Sequence, residues 1–378
     1  MDFRLSEEQC ALRDTARQFV EARWPAPMIP ERGDALNDLE AGSWEASAML
    51  GWGGLALPER LGGSGQSLAN AVIVAIEVGR RASPLPLAPT ILAGLAVAPP
   101  SAEEQSEAVL AVAETIANGR AVVAWADAEL GAESNTMKTH AVSTPDGWVL
   151  TGTKSPIEHA LDADSLIVSA DVDGTTELFI VPRNASGAEV RQLSTLDLSR
   201  QWCGVGLDHA LLAPEARISA SPEHVLRVRA AAAILASADA VGAASALLEM
   251  TVSYAKERHQ FGQPIGSFQA VQHKCANMRI WLQASTVAAY YAAMVYDSQE
   301  AGFAQAAAVA KSAASRFLTS LAGEALQIHG GIGMSWESDV HLLLRRIRVA
   351  ALLFGSAAYH HEQYAKDFLS RVQFSESQ

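Results

Sequence analysis

The sequence has 378 residues, 49% hydrophobic and 19% charged, which suits two or three packed units and excludes a disordered chain. Its formal net charge of −14 argues against nucleic acid as a main partner, because phosphates need a basic face. A phosphate-bearing cofactor is not excluded, since one arginine or a helix N-terminus holds a phosphate locally.

Residues 1–119 read as a helical domain. Ser6-Glu7-Glu8-Gln9 has the form of a capping box, followed by Leu12, Ala16 and Phe19 at helical spacing. After the turn-rich stretch 57–65, a helix is predicted from Leu68 to about Arg80, closed by Ser83-Pro84-Leu85-Pro86. Residues 120–217 change character. Short β-prone runs begin at Ala121, Trp148, Leu166 and Leu178, separated by turn residues such as Pro145-Asp146-Gly147 and Asp173-Gly174. With no helical crossovers between the runs, a mainly antiparallel sheet is expected, as a sandwich or barrel ending near Pro214. Residues 218–378 are helical again. Ile234, Val241, Leu248 and Val252 recur on one face, and further helices are predicted at Phe268 to about Glu300, Ala304 to about His329, and Val340 to about Leu369. The expected fold is therefore α+β: an N-terminal helical domain, a middle antiparallel β domain and a C-terminal four-helix bundle.

Cys10, Cys203 and Cys275 are too widely spaced for a zinc pattern or a disulfide framework and suit a reducing cytosol. The start, Met1-Asp2-Phe3-Arg4-Leu5, lacks the apolar core of a signal peptide, and no apolar run reads as a membrane span. A cytoplasmic protein is the expectation.

Two segments stand out for chemistry. In Arg258–Gln269, Gly262 and Pro264 force a turn between two long helices, which puts Arg258 near a helix C-terminus and Phe261 in the turn. On residue types alone, the simpler reading is a plain helix connection with a surface arginine. In Gln327-Ile328-His329-Gly330-Gly331-Ile332-Gly333-Met334, three glycines within four residues let backbone approach a ligand closely, though a helix C-cap gives the same pattern.

Together these segments resemble the acyl-CoA dehydrogenase family. The likeness is carried by Arg258-x-x-Phe261-Gly262-x-Pro264-Ile265, by Gln327–Gly331, by the opening through Gln9, and by Pro58–Gly65 followed by Glu77–Arg80. It spans nearly the whole chain in order. The resemblance implies helix–sheet–helix architecture and FAD bound between the subunits of a tetramer or dimer. It implies that Arg258 and Phe261, with Gln260 between them, contact the ADP half of FAD. Ile265 and Phe268 would add apolar contacts, Gln327 and Gly331 would reach FAD across the subunit interface, and Ser356 would stand near the flavin. An arginine suits a pyrophosphate because its planar fork gives paired charged hydrogen bonds. The family removes an acyl-CoA α proton with a carboxylate and passes electrons on, usually to an electron-transfer flavoprotein.

Here the sequence departs from the family. The usual glutamate position is Phe354, and the minority position is Ala232. Asp239, two turns further on and on a similar face, is the nearest candidate base, with a hydrogen-bonded structural carboxylate as its plain alternative. Asp127–Ser134 replaces the loop that wraps the flavin, and Pro156-Ile157-Glu158 replaces the segment beside its ring. The alanines at 230–233 would leave room for a ring-bearing acyl group or simply pack a helix tightly. Losses on the ring and acyl side, with the ADP side kept, resemble the partner-type chain of bacterial heterotetrameric, steroid-type acyl-CoA dehydrogenases. So do Leu196–Arg200 and Asp339–Arg346 with Leu353–His360. In those enzymes a second, homologous chain supplies the glutamate. The alternatives are a self-sufficient homo-oligomer with an atypical base and a non-catalytic scaffold of the same fold.

Overall fold

The structure is a computed structural model describing residues 3–24, 42–99, 105–130, 137–299 and 301–375, with side chains described as far as residue 369. Met1, Asp2, Glu300 and the 131–134 part of the loop expected near the flavin lie outside the described residues.

Among the described residues, five helices open the chain: α1 (Glu7–Arg23), α2 (42–49), α3 (Leu68–Arg80), α4 (Leu87–Ala96) and α5 (Glu107–Ala117). The capping box forms as its sequence specifies. The Gln9 backbone N–H donates to Ser6 Oγ at 3.2 Å, and the Ser6 N–H donates to Gln9 Oε1 at 3.1 Å. Helix α4 carries no polar stripe and is buried almost all round, so it offered no helical period to read.

Next come β1 (Val123–Ala126), β2 (His140–Thr144), β3 (Gly147–Glu158), β4 (Ser165–Val172), β5 (Thr175–Pro182), β6 (Ala188–Gln192), β7 (Trp202–Leu212) and β8 (Arg217–Ile218). They form one eight-stranded sheet in the order β6-β7-β3-β2-β4-β5-β8, with β1 on β4. Most pairings are antiparallel, as expected. However, β1 runs parallel to β4, from Val123↔Ser165 to Ala126↔Val168, so the sheet is mixed. The path is open from β6 to β8 and does not close into a barrel.

The C-terminal part holds α6 (Pro222–Glu257), a small hairpin of β9 (His259–Gln260) and β10 (Gln263–Pro264), α7 (Gln269–Asp297), α8 (Phe303–His329), α9 (Val340–Leu352) and α10 (Ala357–Ser375). The single last helix predicted from Val340 to Leu369 is in fact two. Phe354 at φ +54° and Gly355 at φ +99° are left-handed, and a right-handed helix cannot run through them. By length and composition alone α6 would be apolar enough to cross a membrane. Yet 89% of its most apolar window is buried inside the protein, so it serves as a core helix.

The helices of both ends share one apolar core, and the sheet holds a second. Helix α3 crosses α6 with almost no gap. A Cβ on Gly79 would lie 2.1 Å from the Asp239 carbonyl oxygen, and one on Gly242 would lie 1.9 Å from that of Ile76. Only glycine permits this approach. Gly79→Ala or Gly242→Ala should therefore force the helices apart and cost about 1–3 kcal/mol or more. Urea unfolding of each variant measures this, and an unchanged midpoint would contradict the packing described.

Candidate cofactor site and a buried ion cluster

Helix α6 ends at Glu257, and its chain reverses through the β9–β10 hairpin before α7 begins. Phe261 (φ +54°) and Gly262 (φ +80°) are the two central residues, the backbone of a type I′ hairpin turn. Holding a phenylalanine left-handed costs about 1–3 kcal/mol, a strain that concentrates at functional sites. The ring itself is 92% exposed and meets Phe268 edge-on at 6.2 Å. Arg258 is exposed and makes no ion pair among the described residues, although its backbone is fixed by bonds to Tyr254 and Ile265. Gln260 is exposed, while Ile265 and Phe268 are half-buried behind it. The predicted corner thus forms as one unit, presenting a free cation and a bare aromatic face.

Gln327 and Gly331 stand at the far end of α8 and in the 3-10 turn after it, both exposed. A Cβ on Gly331 would meet nothing within 4 Å, leaving open space for a close approach. Tyr254 of α6 stacks on His329 of α8 at 4.6 Å, which brings this turn to the same end of the bundle as the hairpin. Ser356 is elsewhere. It sits in the α9–α10 break, beside Lys311, and its hydroxyl accepts from the Tyr359 N–H at 3.2 Å as the cap of α10. Along α8, Lys311 and Gln327 are about 24 Å apart at 1.5 Å per residue. One chain therefore presents the expected contacts as two separate stations. The cradle fits the nucleotide end of FAD: an unpaired arginine fork, an exposed ring and an open glycine turn.

The base positions contrast with this. Ala232 is buried among the helices, as are its neighbours Ala230, Ala231 and Ala233, so these alanines pack α6 tightly. Phe354 packs against the same core. Asp239 is buried, and both of its oxygens are taken. Arg346 of α9 donates from Nε at 2.9 Å and Nη2 at 2.8 Å, and Arg200 Nη2 lies 2.7 Å from Oδ1. Arg200 also donates from Nη1 to Glu158 Oε2 at 3.2 Å, and Arg346 donates from Nη1 to Ser199 Oγ at 3.0 Å. Burial alone would raise the Asp239 carboxyl, but Arg200 and Arg346 outweigh it and hold the group below the ordinary carboxylate range. A carboxylate so held is a poor proton acceptor. The geometry argues against the base role expected of Asp239 and gives it that of a counter-ion.

A second cluster occupies the residues expected beside the flavin. Arg229 of α6 grips Asp127 at 2.9 and 2.7 Å, Ser169 Oγ donates to Asp127 at 2.6 Å, and the buried Lys154 pairs with Glu129 at 2.7 Å. Trp125 is buried, and the partly buried Trp148 packs on the sheet core, edge-on to Phe179 at 5.2 Å. Neither cluster is visible as a local sequence pattern. The one hint was that Arg345-Arg346 follows directly on the apolar run Leu342-Leu343-Leu344.

Residues 6–118 match the family model for the acyl-CoA dehydrogenase N-terminal domain, and residues 229–369 match that for the C-terminal domain. Acyl-CoA dehydrogenase IpdE2 of Mycobacterium tuberculosis is 32% identical over 360 residues, 93% of this chain and 94% of that protein. Among solved structures, a variant of the Tcur3481-Tcur3483 steroid ACAD superposes with a TM-score of 0.86 at 28% identity, covering 97% of this chain and 99% of the other. The ChsE4-ChsE5 complex from Mycobacterium tuberculosis gives 0.87 at 23% identity over 98% and 99% of the two chains, a likeness of fold.

Removing one member of a buried pair leaves an uncompensated charge. Asp239→Asn should therefore lower stability by about 3–5 kcal/mol at pH 7. Because the folded-state pKa of Asp239 is depressed, its contribution is complete above the unfolded value of 3.8 and is lost as pH falls below it. The gap between wild type and variant should narrow below about pH 4. Urea titrations across pH 3–7 test this, and a gap independent of pH would contradict the assignment.

Proposed function

The chain belongs to the acyl-CoA dehydrogenase family, and from that premise we propose that it is a subunit of an FAD-dependent dehydrogenase in which a second, homologous chain supplies the catalytic glutamate. One contrast carries this proposal. The residues suited to the nucleotide end of FAD stand free at the surface, whereas both base positions are apolar and the nearest acid is locked between two arginines. FAD, when bound, takes up the hydride equivalent from the substrate β carbon. This chain's part is to bind and orient. The Arg258 fork holds the pyrophosphate by paired charged bonds, and the Phe261 ring covers the adenosine side. Gln327 and Gly331 reach the cofactor of a neighbouring subunit, and Ser356 stands on the flavin side of the other station.

The separation of those stations along α8 supports a site completed by a second subunit, in a dimer or tetramer. The paired name of the steroid ACAD at 28% identity supports a hetero-oligomer and a ring-bearing, steroid-derived acyl-CoA as the substrate class. Electrons would leave through an electron-transfer flavoprotein, as the family resemblance implies. Glu158, at the position beside the flavin ring, is engaged by Arg200 in this chain, which supports placing the reacting ring against the partner.

Charged hydrogen bonds of this type contribute about 1.5–3 kcal/mol each. Arg258→Ala in the joint complex should therefore weaken FAD binding roughly 10- to 100-fold, with the flavin lost on gel filtration. Stoichiometric retention of FAD by that variant would remove Arg258 from the site.

A further inference from the structure

Away from both ion clusters, α8 buries a lysine. Lys311 is 1% exposed, and no carboxylate among the described residues pairs with it. Its Nζ donates to Ser315 Oγ at 3.0 Å, to the Ala351 carbonyl at 3.1 Å and to the Gly355 carbonyl at 3.0 Å. Ala351 lies in the last turn of α9, where carbonyls have no helical partner. Gly355 lies in the break that follows. The carbonyl between them is also held: His360 of α10 donates from Nε2 to Phe354 O at 2.8 Å, which fixes its tautomer because a carbonyl only accepts. Ser312, one residue after Lys311, bonds to His361 on α10. The turn needs such support, because Phe354 is left-handed and a Cβ on Gly355 would lie 2.5 Å from the Tyr359 ring.

We infer that Lys311 is a positioning residue, a buried latch whose Nζ sets the backbone of the Leu353–Ser356 turn. It thereby sets Phe354, which occupies the usual base position, and Ser356 on the flavin side. The meaning of the latch for catalysis rests on the proposed function, but the latch itself does not.

Three acceptors match the three donors of an ammonium. A neutral amine still donates to both carbonyls, while the Ser315 hydroxyl, which otherwise donates to the Ala351 carbonyl at 3.2 Å, turns to donate to the amine. Burial lowers Lys311 to about 7, so both forms are present near neutral pH. The groups facing it from α10 are His360, pushed down to about 4 by burial and then by the nearby Lys311 and His361 charges, and His361 itself. From α9 it meets the Ala351 carbonyl, and no charged group of α6 or α7 bonds to it among the described residues. With a folded-state pKa below the unfolded value of 10.5, the unfolded chain binds the extra proton between about pH 7 and 10.5, and the lysine's contribution to stability rises with pH across that window.

The test uses the full chain with Lys311→Met and Lys311→Arg, read by amide hydrogen exchange and by unfolding midpoints from pH 6 to 9. Neither readout needs bound FAD, so failure of the functional proposal leaves both intact. In Lys311→Met, amides of the 353–356 turn should exchange at least tenfold faster while α6 stays protected. In Lys311→Arg, which keeps the donors and has no neutral form, the turn should stay protected. The wild-type midpoint should climb between pH 7 and 9 relative to this variant. Unchanged exchange in the Met variant, or a wild-type pH profile in the Arg variant, overturns the inference. The second arm decides the matter should the Met variant fail to fold.

Discussion

A carboxylate gripped by two arginines joins the three parts of this chain. The Asp239 side chain holds Arg346 of α9 and Arg200 of the segment leading into β7, while its own backbone carbonyl presses on Gly79 of α3. Buried charges are expensive to desolvate, and only well-formed geometry offsets that cost. Once the bidentate bond to Arg346 and the bond to Arg200 are made, the sheet, the core helix and the C-terminal helices have one mutual placement. The same bonds hold the Asp239 carboxyl below the ordinary carboxylate range, which argues against a proton-accepting role. One interaction thus ties the three parts together and occupies both oxygens of the nearest candidate base.

The charges divide accordingly. At the interior ends of the sheet and α6, arginines and lysine are paired with carboxylates: Arg200, Arg346, Arg229 and Lys154. At the outer end of α6, Arg258 has no ion-pair partner among the described residues and lies beside a strained and exposed Phe261. A chain with net charge −14 that leaves this arginine free on such a turn offers a local seat for a diphosphate. Its interior is filled where a self-sufficient dehydrogenase would need a proton acceptor.

Much of the fold was legible in the sequence because it is encoded locally. Ser6 and Gln9 specify the start of α1, and Ser67 and Arg80 bracket α3. Gly262 and Pro264 mark the reversal after α6, although the type I′ pairing around Phe261 needed coordinates. Helix α4 was hidden because an apolar segment without a polar face has no readable period. The break after α9 was hidden because Leu353 and Phe354 continue the apolar pattern, and only backbone angles reveal the left-handed turn. The ion clusters were unreadable for a different reason. Asp239 and Arg346 are 107 residues apart, and no local pattern records which charges the fold brings together.

As proposed, this chain holds the nucleotide end of a flavin site that another chain must complete. Native mass spectrometry combined with flavin absorbance tests it most directly, on the chain purified alone and together with a glutamate-bearing acyl-CoA dehydrogenase homologue from the same organism. The chain alone should be colourless, and the two combined should form a mixed oligomer carrying FAD. A yellow homo-oligomer that oxidises acyl-CoA unaided would contradict it.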